Sequence, residues 1–387
     1  AGESDLIHDG HRDDLLDWLE SFPWEDSFFD DRLALDQIRE RRTNLFAALE
    51  WSSSKGRDDL VVRMVARLYV LWVDDEFFSE GYRWLSTIRP EDIDVEPDVR
   101  TAFLINAAMV AIVLGPAEEG RFEQRAVEAW DGKPSVVGCY ALARLAVVNA
   151  VIAAFTRNPE TAAEARRLIQ ASKDVAEVLP ASIGFVPFWA ESFVESTLRN
   201  NGGARAACEA ALQVVDRRRQ SSFYLWCAAL LVALYHVNGD DELATRLAED
   251  ISALVRPEET SRTGPLTAVA VATIHQSSEA RRLLKAALEE VRRRRLPLSL
   301  PELVVGIAAF AVRDGDLERA SKLLWWVESV SIASRRTMGS PISYVLYVHY
   351  VGVLRAALGS EERHRAREEG RVMTEDAVYS LAMEILA

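Results

Sequence analysis

The sequence predicts an all-α chain of helical hairpins stacked into a right-handed superhelical solenoid, and three observations carry that reading. Sustained apolar/polar alternation is absent, whereas apolar residues recur at helical spacing from end to end. Gly, Pro and Asn/Asp breaks divide the chain into helix pairs whose first helices begin near Arg57, Pro97, Ser135, Phe185, Ser221, Arg262, Ser299 and Gly339. These starts lie 36 to 50 residues apart, the range of two-helix repeats. A lone hairpin cannot bury its apolar face, so consecutive pairs must stack and leave a concave surface.

The opening AGESDLIHDGHRDD is acidic and polar, without the basic-then-apolar order of a signal peptide, and reads as a mobile terminus with His8 and His11 solvated. NLFAALEWSSSKGRDD, from Asn44 to Asp59, reads as a helix end, a Ser/Gly break and a new helix start. That break divides the chain into a helical junction over 1–56 and a repeat array over 57–387. In LVVRMVARLYVLWV, Arg63 and Arg67 lie one turn apart, with Asp59 four residues before Arg63. This spacing predicts an i,i+4 ion pair on a solvated face. GPAEEGRF, from Gly115 to Phe122, reads as an inter-helix turn followed by a helix; it lacks the lysine and Ser/Thr of a phosphate loop. Two later pairs turn at Gly239 and Gly315, and SPIS after Gly339 starts another helix.

Charge and composition bound the function. The 387 residues hold 45 Lys and Arg against 60 Asp and Glu, a net charge of −15 that repels phosphate backbones, so no direct nucleic-acid contact is expected. Cys139, Cys208 and Cys227 form no CxxC pair and read as small core residues of a reducing, cytoplasmic compartment. The longest apolar run, YALARLAVVNAVIAAF, is shorter than the ~20 residues of a membrane span and contains Arg144 and Asn149. The absent initiator Met is read as the mark of a fragment.

Both ends carry a resemblance. LDQIRERRTNLFAALEWSSSKGRDDLVVRMVARLYVLWVDDEFFSEGYRWLSTI resembles the junction of actinobacterial STAND-class transcriptional regulators of the LuxR and SARP types. There an NTPase passes through a winged-helix segment into TPR-like repeats. GDLERASKLLWWVESV and LRAALGSEERHRAREEGRVMTEDAVYSLAMEIL are similar to the last repeat of that family and to its ending before a DNA-binding helix-turn-helix. Arg41, Arg42 and Thr43 stand where the family has an acidic residue before the Asn, and Phe46 where it usually has Arg. The NTPase and helix-turn-helix are absent from this chain. The resemblance implies a sensor and protein-interaction region that binds an effector or partner in a TPR-like superhelix. A free-standing helical-repeat receptor for a peptide or protein is the alternative.

Candidate chemistry is sparse. The histidines show no HExxH spacing, no GxSxG elbow is present, and Glu191 and Glu195 read as surface or groove charges, so neither metal, cofactor nor catalysis is expected. The groove candidates are Arg144, Asn149, Trp189, Glu191, Tyr224 and Trp226, with core filling as the plainer role of the aromatics. Arginines cluster near predicted second-helix ends at Arg217, Arg218 and Arg219, at Arg256, at Arg292, Arg293, Arg294 and Arg295, and at Arg335 and Arg336. They complement helix dipoles, Arg293 and Arg294 can pair with Glu289 and Glu290 four residues earlier, and stacking would align the clusters as a basic rim for an acidic partner. That partner is a protein or peptide, or another domain of the parent regulator; a small-molecule effector is the other ligand the resemblance implies.

Overall fold

The computed structural model describes residues 2–24, 28, 32–72, 78–111, 116–215, 221–252, 278–294, 299–333 and 340–387. Among them every regular element is helical, as the periodicity predicts. In chain order these are α1 (Gly2–Glu20), α2 (Arg32–Ser54), α3 (Asp58–Ala66), α4 (Tyr69–Trp72), α5 (Phe78–Thr87), α6 (Pro97–Ala111), α7 (Pro116–Ala129), α8 (Val136–Thr156), α9 (Pro159–Ala176) and α10 (Phe185–Thr197). There follow α11 (Asn201–Val214), α12 (Ser221–Asn238), α13 (Asp241–Ser252), α14 (Ser278–Arg294), α15 (Ser299–Arg313), α16 (Leu317–Ala333), α17 (Pro341–Ala357), α18 (Ser360–Arg371) and α19 (Glu375–Ile385). Seven predicted first-helix starts coincide with α3, α6, α8, α10, α12, α15 and α17; the one near Arg262 lies outside the described residues.

The local chemistry explains these boundaries. Ser135 accepts the Gly138 N–H at 3.0 Å and so caps α8. Ser340 caps α17 ahead of Pro341, whose missing N–H costs nothing in the first turn. Gly239 and Gly315 both turn the chain at φ 82°, a left-handed conformation that a Cβ would strain.

The chain divides into two compact units, one comprising Ala1–Val194 with Gln213–Tyr224, the other Glu195–Leu212 with Leu225–Ala387. In the first, α6 pairs with α7 and α8 with α9, and first helices of successive pairs also touch, α3 against α6 and α6 against α8. Its central element, α8, is 21 residues long, more than the apolar run suggests by itself. Its length and composition would allow it to cross a membrane, yet 89% of its apolar window is buried against neighbouring helices. Each fully buried Val or Leu there contributes roughly 1.5–3 kcal/mol.

In the second unit, α16 packs on α15 and α18, and at Gly370 the helices approach so closely that a Cβ would lie 2.4 Å from the Lys322 carbonyl oxygen. Cys208 and Cys227 are buried there as free thiols, and Cys139 is buried in the first unit, all in core positions as expected.

Two expectations are corrected. The N-terminus is not a loose tail: α1 stacks His8 on Trp51 with ring centroids 4.6 Å apart, and Trp51 Nε1 donates to Asp9 at 3.0 Å. Arg63 does not pair with Asp59. It holds the Glu20 carboxylate through two hydrogen bonds of 2.8 and 2.6 Å, while Asp59 accepts two bonds of 2.9 Å from Arg57. Local spacing allowed the expected pair, but packing of α1 on α3 brings a carboxylate better placed for a bidentate contact.

Candidate ligand cleft of the first unit

A cleft of about 810 Å³ opens in the first unit between the ends of α1 and α3, the start of α6, and the α7–α8 loop. Its position follows from how α3 ends. Arg67 N–H bonds back to Met64 and Leu68 N–H to Val65, a tightened last turn that stops the helix before α4. The buried end carbonyls of Val65 and Ala66 accept from the Asn106 Nδ2 at 2.7 and 3.2 Å. This bend turns the Arg67 side chain to the cleft, where it lines the wall.

Arg67 packs its guanidinium 3.4 Å over the Trp24 ring, and Nη1 donates to the Phe22 carbonyl at 3.0 Å. It makes no ion pair among the described residues. Burial pushes its pKa down to about 10, with Glu20 and Asp98 acting against that shift from a distance. A guanidinium partly desolvated without a carboxylate costs stability.

Across the cleft Asp98, in the first turn of α6, accepts from Ser135 Oγ at 2.8 Å. Burial raises its pKa, and the Ser135 hydrogen bond pulls the other way. The remaining lining cations are engaged: Arg63 with Glu20, and Lys133 with Asp131 at 2.7 Å. Asp94 and Glu96 are exposed on a loop that Arg100 fastens by donating to the carbonyls of Pro90, Ile93 and Val95. Behind the lining residues Lys133, Pro134 and Ser135, Trp130 Nε1 donates to the Lys133 carbonyl at 2.8 Å and holds that loop.

Behind the cleft runs a chain of rings. Trp24 stacks on Phe28, Phe28 lies 5.2 Å from both Tyr69 and Tyr140, and Tyr140 stacks on Trp189 at 6.0 Å. The Tyr69 and Tyr140 hydroxyls share a buried 2.7 Å hydrogen bond. One turn beyond Tyr140, Arg144 is 6% exposed and sits between two carboxylates, with Nε on Glu123 at 2.8 Å and Nη2 on Glu119 at 2.7 Å. Burial drives the Glu123 carboxyl up to about 7, against the pull of Arg144, and its Oε2 has no partner.

Of the groove candidates, Arg144 is thus an internal ion-pair residue, and Trp189 is buried between Tyr140 and Phe223. Glu191 pairs with Lys173 at 2.8 Å, and Asn149 is half-buried. Tyr224 and Trp226 are half-buried, the first in one unit and the second in the other. None of the six lines the cleft. Of the arginine clusters, Arg217, Arg218, Arg219, Arg256, Arg295, Arg335 and Arg336 lie outside the described residues, as does the Arg294 side chain. Arg293 pairs with Glu290 at 2.6 Å, and Arg292 reaches Asp376 at 3.8 Å and the Tyr379 ring.

Sequence reasoning missed Arg67, Trp24 and Asp98. A usable signal was present for Asp98: the PxV segments Pro97-Asp98-Val99 and Pro134-Ser135-Val136 open successive first helices, so Asp98 and Ser135 each follow the proline. No local signal ties Trp24 to Arg67. The chain matches no protein-family model, no curated protein and no solved structure. Among the described residues no cluster of His, Cys, Asp or Glu has metal-binding geometry.

Proposed function

We propose that this chain is the sensor and protein-interaction region of an actinobacterial STAND-class transcriptional regulator of the LuxR or SARP type. Its hairpins form a right-handed TPR-like superhelix, working in the cytoplasm, and the cleft of the first unit takes the effector. The resemblance of both chain ends and the contacts between successive first helices support this reading. The observation that carries it is Arg67: a half-buried guanidinium in a cleft, with no carboxylate partner among the described residues. Effector binding there would bias the regulator between resting and active assemblies through its different affinity for each.

A second reading, a helical-repeat receptor for a peptide or protein, is favoured by Phe28. Its ring is 1% exposed and packs on Tyr69 and Tyr140, so this face already takes an aromatic residue from another part of the chain.

The coding sequence and a reporter separate the two. The regulator reading expects an upstream nucleotide-binding motif and a downstream helix-turn-helix in the same reading frame. It also expects Arg67→Gln in the full-length protein to abolish effector-dependent reporter transcription. A frame without either domain contradicts it and leaves the receptor reading.

A further inference from the structure

We infer that the cleft of the first unit takes a small amino-acid-type ligand, its carboxylate on Arg67 and its α-ammonium on Asp98. The preferred ligands carry a further positive charge, as lysine and arginine do. This deepens the reading of the cleft as the effector site and rests on it.

Three features of the cleft lead there. First, Arg67 presents an edge. Trp24 covers one face of the guanidinium and the Phe22 carbonyl takes one N–H, so the other N–H groups meet no acceptor among the described residues. A planar fork of free donors in a partly dry site matches a carboxylate. Second, Asp98 is a half-buried carboxylate that accepts from the Ser135 hydroxyl and, among the described residues, has no cation paired with it. Arg67, just past the end of α3, and Asp98, in the first turn of α6, line the same cleft and feel each other's charge, yet form no ion pair with each other. Two opposite charges separated in one cleft are complementary to a zwitterion.

Third, the rest of the lining selects within that class. Arg63 and Lys133 are neutralised by Glu20 and Asp131, so an anion has only Arg67 to approach. Asp94 and Glu96 stand exposed at the mouth and favour extra positive charge. A dicarboxylate would set its second acid against Asp98, and a polyamine would set an ammonium against Arg67. The volume of about 810 Å³ suits a metabolite of this size with bound water.

The test is calorimetric titration of the full chain with L-lysine, L-lysinamide and Nα-acetyl-L-lysine, repeated on Arg67→Gln and Asp98→Asn. L-lysine is expected to bind at least tenfold more tightly than either derivative. The advantage over L-lysinamide should vanish in Arg67→Gln, and the advantage over Nα-acetyl-L-lysine in Asp98→Asn, with both variants melting cooperatively. Should Arg67→Gln fail to fold, the Asp98→Asn arm and the wild-type comparison decide alone. Binding of succinate in place of lysine, lost in Arg67→Gln, or of putrescine, lost in Asp98→Asn, overturns the amino-acid assignment but leaves the effector site. No binding by any of these, nor by a broader metabolite panel, overturns both.

Discussion

Asn106, fully buried in α6, donates from its side-chain amide to the main-chain carbonyl of Val65, 41 residues earlier, at 2.7 Å. This one contact satisfies the end of α3 and fixes the bend from which Arg67 reaches the cleft. Asn106→Leu would take from the Ala66 carbonyl its side-chain donor and leave the Val65 carbonyl to the Leu68 N–H, a cost of about 1–3 kcal/mol. Asn106→Asp should be worse, since it faces those carbonyls with another acceptor. Urea unfolding of the two variants checks the order, and ligand titration checks that Arg67 loses its position with them.

Arg67 itself should matter more for binding than for folding. Its pKa is held near 10, below its ordinary value, so the folded chain binds its proton less tightly than the unfolded chain does. Stability from this group therefore rises with pH above about 10 and is lowest at neutral pH. Arg67→Met gives up the Trp24 stacking and the Phe22 hydrogen bond but also removes the desolvated charge. The expected change at pH 7 is within about 1 kcal/mol, measured by chemical denaturation.

The Arg144 triad behaves in the opposite way. Glu123 has its carboxyl raised from 4.5 to about 7, so its contribution is fully present below 4.5 and is lost as pH rises through 7. Unfolding of the first unit should become easier between pH 5 and pH 8, and Glu123→Gln should flatten that slope. Arg144→Met, which strands two buried carboxylates, should cost about 3–5 kcal/mol. Hydrogen exchange of α7 and α8 amides across this pH range reads both effects.

The second unit should respond to acid with the reverse sign. His349 lies against His236 at 5.6 Å and against Tyr350, and burial, helped by the His236 charge, lowers its pKa. His236 in turn contacts Asp241 at 3.2 Å and the Tyr350 hydroxyl at 3.0 Å. A depressed histidine binds its proton less tightly when folded, so stability is lost as pH falls below its ordinary value and towards the folded one. Exchange protection of α17 should drop on acidification while that of α7 and α8 rises, and His349→Gln should remove the α17 response.

The hairpin pattern was legible in the sequence because its punctuation is local. Ser135, Pro159 and Ser340 act through hydrogen bonds or φ preferences within three residues, and Gly239 and Gly315 through their own backbone conformations. The cleft was illegible for the converse reason. Arg63 finds Glu20 at a separation of 43 residues and Arg67 finds Phe22 at 45, distances over which a single sequence gives no pairing signal. Arg144 was singled out correctly as a polar residue in an apolar helix, but periodicity does not say whether such a residue meets a groove or the two glutamates of the preceding helix. The roles of Arg67 and Arg63 as solvated charges were inferred from α3 alone, whereas α1 and the Trp24 ring cover that side.

The most direct measurement is to follow the Arg67 side-chain Nε–Hε resonance by NMR while L-lysine is added to the full chain, with Arg67→Gln providing the assignment. The account predicts a saturable shift of that signal at the concentration where calorimetry shows binding, with the Arg144 resonance unmoved. Saturation of binding with the Arg67 signal unchanged would contradict it.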